Sequence, residues 1–498
     1  MNIYSMFADA MRRRPGATAV RYGERRLSYD ELDASACAAG ALFAAHGCTK
    51  GDRVLIFLKN GFEYPVLLLG AMRAGFVVVP VNAKLHPLEV AWIAGNCAPK
   101  VIVTHREHIG PLREGLNSSD AASILAVEEL ELPGVSAGPP ADVREDDPAW
   151  IFYTSGTTGR PKGATLTHRN LIAATVNCLA DVFDFRSEDR VLHVAPLSHG
   201  SGLYMLPSLT RGAENVISDR PSFQPDEILE MVAAEKITAF AFVAPTMIVR
   251  LLDAAPRDDI GSLRGVVYGG ATIHLEHIKA AVERFGPIFH QLYGQGEAPM
   301  TISYLPARDH AGADDETLLS AGYVRSGVEV KLVDAEGREV GPGEDGEICV
   351  RGDVVMRGYW ENPQATAAAL HGGWLHTGDI GQFDGGGRLR VLDRRHDTII
   401  SGGTNIYPKE VEDVIAAHPA VREVIAFGLP DAEWGESVAV AVVADDPRLD
   451  QEALLAFCKA NLASFKKPKH VFFTSDLPKN AYGKVLRRTL KEEYGRPR

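Results

Sequence analysis

The eleven residues from Tyr153 to Gly163, Tyr-Thr-Ser-Gly-Thr-Thr-Gly-Arg-Pro-Lys-Gly, hold three glycines, four aliphatic hydroxyls and two cations. Almost none of them can fill a core. Gly156 and Gly159 let backbone N–H groups come close to an anion. Thr154, Ser155, Thr157 and Thr158 can donate to phosphate oxygens, and Lys162 supplies charge. The chemistry is that of a loop closing on a polyphosphate. It is not a Gly-Lys-Ser/Thr phosphate loop, because Pro161 precedes the lysine and Gly163 follows it. A polar linker would not need this order. Nor would it need the apolar run Ala149-Trp150-Ile151-Phe152, which leads into the loop as a buried strand does.

This segment resembles the phosphate-binding loop of the adenylate-forming enzymes, which include acyl- and aryl-CoA synthetases, peptide-synthetase adenylation domains and luciferases. Further motifs follow in that family's order. Ala195-Pro196-Leu197-Ser198-His199-Gly200-Ser201-Gly202-Leu203 resembles the segment that walls the acyl pocket. Adenylation domains for amino acids place an acid hereabouts to hold the substrate ammonium. Here the residues are neutral or apolar, which favours an amine-free carboxylic acid. A structural His199 capping a turn is the competing reading. Tyr268-Gly269-Gly270-Ala271-Thr272 matches the turn that receives the adenine edge, through Gly270, Ala271 and Thr272. Gln291-Leu292-Tyr293-Gly294-Gln295-Gly296-Glu297 resembles the family's Tyr-Gly-x-Thr-Glu element. The resemblance implies adenine stacking for Tyr293 and nucleotide contacts for Gly294, Gln295 and Gly296. Glu297, a hard oxygen donor, is implied as the Mg2+ ligand and a catalytic residue, beside His199. Gly296 departs from the pattern, since the family commonly has a Thr whose hydroxyl touches the α-phosphate. A backbone N–H or a water is expected to replace that hydroxyl.

Asp379, in Trp374-Leu375-His376-Thr377-Gly378-Asp379, matches the acid that accepts from both ribose hydroxyls, a task suited to the two oxygens of a carboxylate. Arg394 matches the family's ribose-binding Arg just before the hinge. The hinge residue is usually Asp or Lys and is His396 here. Ser401-Gly402-Gly403-Thr404-Asn405-Ile406-Tyr407-Pro408 matches the strand-loop that lines the pantetheine tunnel, with Gly403 leaving the thiol arm unobstructed. Lys484, in Leu477-Pro478-Lys479-Asn480-Ala481-Tyr482-Gly483-Lys484-Val485, matches the catalytic Lys. A cation there would meet the charge that builds between carboxylate and α-phosphate. Trp434, Phe465, Lys467 and His470 resemble the CoA-nucleotide patch of aryl-CoA ligases, with cations for phosphates beside rings for adenine. A generic basic surface is the alternative.

The elements that must carry these motifs are legible. Ser28-Tyr29-Asp30-Glu31 is a capping box that opens a helix ending near Gly47. Val54–Leu58, Val77–Val79 and Val101–Val103 are apolar strands without polar alternation, separated by helices at Phe62–Met72 and His86–Ala94. That pattern predicts parallel sheet covered on both faces. Residues 110–147 are more polar and predict a connecting excursion. From about Ser320 the pieces Glu329–Val333 and Gly346–Val350, parted by Gly/Asp turns, predict an antiparallel, barrel-like subdomain closed by a hairpin at Asp384–Gly387. After Arg395 the chain starts afresh. Pro408 opens a helix to Ala417, strands follow at Val424–Phe427 and Val438–Val443, and a helix runs from Gln451 to Leu462.

The chain of 498 residues is too long for one core. The expected fold is α/β. A large N-terminal domain, 1–395, holds two parallel-type helix-covered sheets plus the barrel-like subdomain, and a small mobile α+β C-terminal domain, 396–498, carries Lys484. A formal charge of −13 argues against nucleic acid as a bulk partner. No apolar run approaches a bilayer span, and the N-terminus lacks the order of a signal peptide. Six scattered cysteines fit free thiols in a reducing cytoplasm. A homodimer is among the assemblies expected.

The resemblance implies an ATP-dependent carboxylic acid–CoA ligase using ATP, Mg2+ and coenzyme A, with acyl-AMP formed first and the acyl group then passed to the thiol. By family position the acyl pocket involves His199, Ser201, Tyr204, Val243, Met247 and Gly269. None of these is Lys or Arg, which disfavours a dicarboxylate, and Gly269 leaves room for a flat ring. Benzoate-, cinnamate- or ferulate-type acids are the closest likeness. A medium- or long-chain fatty acid competes. An adenylation enzyme loading a carrier protein in trans, and a luciferase-like oxygenase or non-catalytic relative, are the other classes.

Overall fold

The strands Arg53–Phe57, Val77–Pro80 and Val101–Thr104 are buried on both faces, which is why their sequences show no alternation. They form the parallel heart of a seven-stranded sheet. The computed structural model describes the chain except residues 117–121, 135–137, 155–159, 256, 258, 271–272, 274, 335, 395–398, 407, 447, 479–486 and 496–498, and except the side chains of 276, 392–394, 405, 409, 410, 413 and 488. The polar stretch 110–147 is more than an excursion: Ser123–Ala126 is a strand that pairs in parallel with Val101–Thr104 and extends the sheet edge. At the other side, Pro148–Thr154 joins in parallel next to Val77–Pro80 and then pairs antiparallel with Lys162–Thr167. Pro148–Thr154 and Lys162–Thr167 are thus the two arms of a β-hairpin.

A second sheet of nine strands has six parallel members at its centre, among them Arg190–His193, Ala239–Val243, Gly265–Gly269 and Phe289–Gln295. Ala298–Leu305 folds back antiparallel on the last of these. Helices cover the sheets. Among the described residues, three helices open on capping boxes, beginning at Tyr29, Pro87 and His168. In the first, Ser28 Oγ accepts the Glu31 N–H at 3.2 Å and Glu31 returns a carboxylate oxygen to the Ser28 N–H at 2.8 Å.

The expected antiparallel subdomain is a five-stranded sheet of Glu329–Val333, Gly346–Arg351, Leu370–His371, Trp374–Phe383 and Leu389–Arg394. Residues 399–494 build a fourth sheet, also of five strands, with helices Pro408–Ala416, Gln451–Asn461 and Arg487–Tyr494. Its apolar side chains bury in two clusters drawn from this segment alone, one around Val411, Ile415, Val440 and Leu454, the other around Phe427, Leu477 and Leu490. Among the described residues, no helix is long and apolar enough to cross a membrane.

Candidate active site

A cavity of about 890 Å3 opens where the paired ends of the hairpin arms at Thr154 and Lys162, the C-terminal ends of the parallel strands, the third sheet and the 399–494 segment meet. Thr154 and Lys162 are cross-strand partners at those ends. The Lys162 ammonium lies 4.7 Å from the Tyr359 ring centre. Residues Ser155, Gly156, Thr157, Thr158 and Gly159 lie outside the described residues, as do Ala271, Thr272, His396 and Lys484.

Glu297 ends the turn after Phe289–Gln295 and faces the cavity. Its Oε1 accepts the Tyr359 hydroxyl at 2.6 Å and the Thr154 hydroxyl at 3.3 Å. A carboxylate held beside a hydroxyl at the end of a hairpin arm is a hard-oxygen donor set, which fits Mg2+. Gly296, next to it, has no room for a side chain. A Cβ there would overlap the Thr154 methyl and come within 2.8 Å of the Phe152 ring. The departure from Thr is thus matched by Phe152, which takes the space.

Asp379 is buried yet reaches the cavity. The Tyr293 hydroxyl donates to its Oδ2 at 2.7 Å and the Gln295 amide at 2.6 Å. Gln295 also donates to the Thr377 carbonyl at 3.0 Å, and the Thr377 hydroxyl accepts the Asp379 N–H at 3.1 Å. Arg394 is the cross-strand partner of Asp379, so the register brings both expected ribose residues to one place. Behind them, Glu347 and Cys349 share a strand face and His376 pairs opposite Cys349. One Glu347 oxygen accepts the Gly378 N–H at 3.1 Å and the other lies 3.1 Å from His376 Nδ1. This carboxylate fixes the turn that presents Asp379.

Phe152, His199, Gly200, Leu203, Phe242, Met247 and Met300 line the cavity too. Burial pulls the His199 imidazole down to about 4, so it is neutral at pH 7. Its Nδ1 is 2.8 Å from Ser198 Oγ, and the Phe152 ring meets it edge-on at 5.2 Å between centres. Leu203, Pro299 and Met300 stand between this cavity and a separate void of about 20 Å3 beside Tyr204 and Arg325.

Of the expected pocket residues, His199 and Met247 line the cavity. Ser201, Tyr204, Val243 and Gly269 do not. Each is displaced by one step from a residue that does. On helix Gly200–Thr210, Gly200 and Leu203 face the cavity, whereas one position on is a turn of about 100° into the core. There Ser201 meets His193, which bridges it and Asn215 at 2.9 Å each. On strand Ala239–Val243, Phe242 faces the cavity and Val243 the opposite side. Gly270 lines the cavity, while a Cβ at Gly269 would meet the Leu292 carbonyl at 2.5 Å, which leaves no space for a ring there.

In the C-terminal segment, Gly402, Gly403, Thr404, Phe465 and Lys466 line the same cavity. Gly403 has φ +73°, and a Cβ on it would overlap Ala244. Lys467 is not among the lining residues; its neighbour Lys466 is. Trp434 is about one-third exposed, packs on Gly402, and has the Lys469 ammonium 5.5 Å from its ring centre. His470 is exposed and stacks toward Phe472. The strand alternation at 239–243 was the signal that could have found Phe242. Nothing local marks Phe152, Met300 or Lys466 as cavity residues, since each arrives there by tertiary packing.

Comparison with known proteins shows the family and the fold. The AMP-binding enzyme family model matches residues 7–360, and the AMP-binding enzyme C-terminal domain matches 410–484. The chain is 38% identical to a feruloyl-CoA synthase from Amycolatopsis sp, covering 97% of this chain and 96% of that one. It is 34% identical to a long-chain-fatty-acid–CoA ligase from Escherichia coli O157:H7, covering 90% and 86%. Its fold is similar, at TM-score 0.89 and 30% identity over 98% of both chains, to o-succinylbenzoate CoA synthetase of Bacillus subtilis bound with a product analogue.

Proposed function

We propose that this chain, which belongs to the AMP-binding enzyme family and is an AMP-forming acyl-CoA ligase using ATP, Mg2+ and coenzyme A, takes an aromatic or arylalkenoic acid. The observation that carries this is that Phe152, Phe242, Leu203, Met247 and Met300 line the cavity together with a neutral His199, with no Lys or Arg among these. Such walls suit a flat apolar acid and reject a second carboxylate. The wall of Leu203, Pro299 and Met300 supports a ring over a long alkyl chain, which would need to pass it. The similarity to a feruloyl-CoA synthase supports the same choice.

In this reading Thr154, Lys162 and the segment between them hold the phosphates, Gly270 and Tyr293 the adenine, Asp379 and Arg394 the ribose, and Glu297 the Mg2+. The carboxylate attacks the ATP α-phosphorus, pyrophosphate leaves, and Lys484 meets the charge that builds. The chain divides into 1–395 and 396–498. The smaller part turns about His396, withdraws Lys484 and brings Gly403 to the cavity, where the thiolate displaces AMP from the acyl carbon. Trp434, Phe465, Lys467 and His470 receive the CoA nucleotide. The six free thiols support a reducing, cytoplasmic setting. A homodimer belongs to the same reading, with sedimentation as its check.

The test is pyrophosphate release from the purified protein with ATP and Mg2+. Ferulate, cinnamate, benzoate and a series of fatty acids are compared with and without CoA, with Lys484→Ala alongside. CoA-dependent AMP formation on an aryl acid, lost in the variant, is the expected result. Preference for long-chain acids would move the substrate assignment. Adenylate formation that CoA does not accelerate would favour loading of a carrier protein.

A further inference from the structure

We infer that Glu89 is a positioning residue for acyl transfer: it latches Lys466, and with it the Gly403 face of the C-terminal segment, onto the cavity. The inference rests on the two-step reading above. Glu89 sits at the third position of helix Pro87–Cys97 and is absent from the cavity lining. Its Oε2 accepts the His86 N–H at 2.9 Å, closing the helix's capping box. The same oxygen accepts the Ala463 N–H at 3.2 Å, and Oε1 accepts the Lys466 ammonium at 2.6 Å. Ala463 and Lys466 bracket the short helical turn Ser464–Lys466. One carboxylate therefore grips both ends of a turn some 370 residues away in sequence, |i−j| being 374 and 377.

Three physical features make this a latch rather than a surface pair. The carboxylate is already oriented by its own helix, so little rotamer freedom is lost on docking. The bond to Lys466 is short and charge-assisted. The Lys466 side chain is only 4% exposed and that of Glu89 18%, so the ammonium is desolvated while docked. With the segment turned elsewhere, both groups are hydrated. Loss of the Glu89 charge would remove the charge-assisted bond that the buried Lys466 ammonium makes in the docked arrangement. The docked arrangement is the one in which Gly402, Gly403, Thr404 and Phe465 line the cavity with His199 and Asp379. The effect therefore falls on the thiol step.

The full-length enzyme is assayed in two single-turnover steps. Acyl-AMP is formed from ATP and acid without CoA, and CoA is then added to the preformed acyl-AMP complex. Glu89→Gln keeps a residue competent for the capping box. It is expected to leave acyl-AMP formation within about twofold and to slow acyl transfer about tenfold or more. In a Lys466→Met background, Glu89→Gln is expected to add no further slowing of transfer, because the partner is already gone. Equal losses in both steps, unchanged transfer, or losses that multiply in the double variant would each overturn the latch. If the wild-type protein shows no CoA-dependent turnover, the two-step reading itself fails and the latch with it. If the wild type turns over and the variants do not split the steps, only the latch fails.

Discussion

Gly296 shows how one side chain answers another. The family's hydroxyl is missing, and the space it would fill is taken by Thr154 and the Phe152 ring. Reintroducing the family residue is then overpacking rather than repair. Gly296→Thr should destabilise the protein by about 1–3 kcal/mol, as small-to-large changes in packed sites do. It should also lower turnover. Combining it with Phe152→Leu should recover part of both losses, read by thermal unfolding and pyrophosphate release. Full activity in the single variant would show that Phe152 moves aside freely.

At the scale of elements, the lining of the cavity turns on phase. The expected segments line it, but several expected residues sit one step off the facing position, on a helix at Gly200–Thr210 and on a strand at Ala239–Val243. Helix and strand periodicity say which residues share a face; they do not say which face meets the ligand. A pair of variants separates the two faces. Phe242→Ala should shift the ratio of aryl to alkyl acid turnover by about tenfold, since one wall contact decides roughly 1–3 kcal/mol. Val243→Ala, on the buried face, should lower stability by about 1–3 kcal/mol and leave that ratio unchanged. The reverse outcome would return Val243 to the pocket.

For the molecule as a whole, desolvated histidines bear on the acid limit, four of them strongly. Burial pulls His168, His193, His199 and His290 each down to about 4. In the unfolded chain they titrate near 6.5. Between these values the unfolded state binds more protons, so stability is complete above about pH 6.5 and is lost as pH falls toward 4. Each group contributes at most roughly 3 kcal/mol. The unfolding midpoint should fall steeply from pH 6.5 to 4.5 and stay level from 7 to 8; a level profile across the acid range would mean these imidazoles are hydrated. The same scale separates what was legible in the chain from what was not. Gly/Ser/Thr/Lys order and unalternated valine strands are local chemistry, and local chemistry points to a phosphate site and a parallel sheet, whereas Asp379 stands out only through the family resemblance. The partnership of Asp379 with Tyr293 and Gln295 and the Glu89–Lys466 contact join residues far apart in the chain. No window of sequence contains both partners, and choosing between adjacent residues on a helix or strand needs the direction of the neighbouring core, so those features came from packing alone.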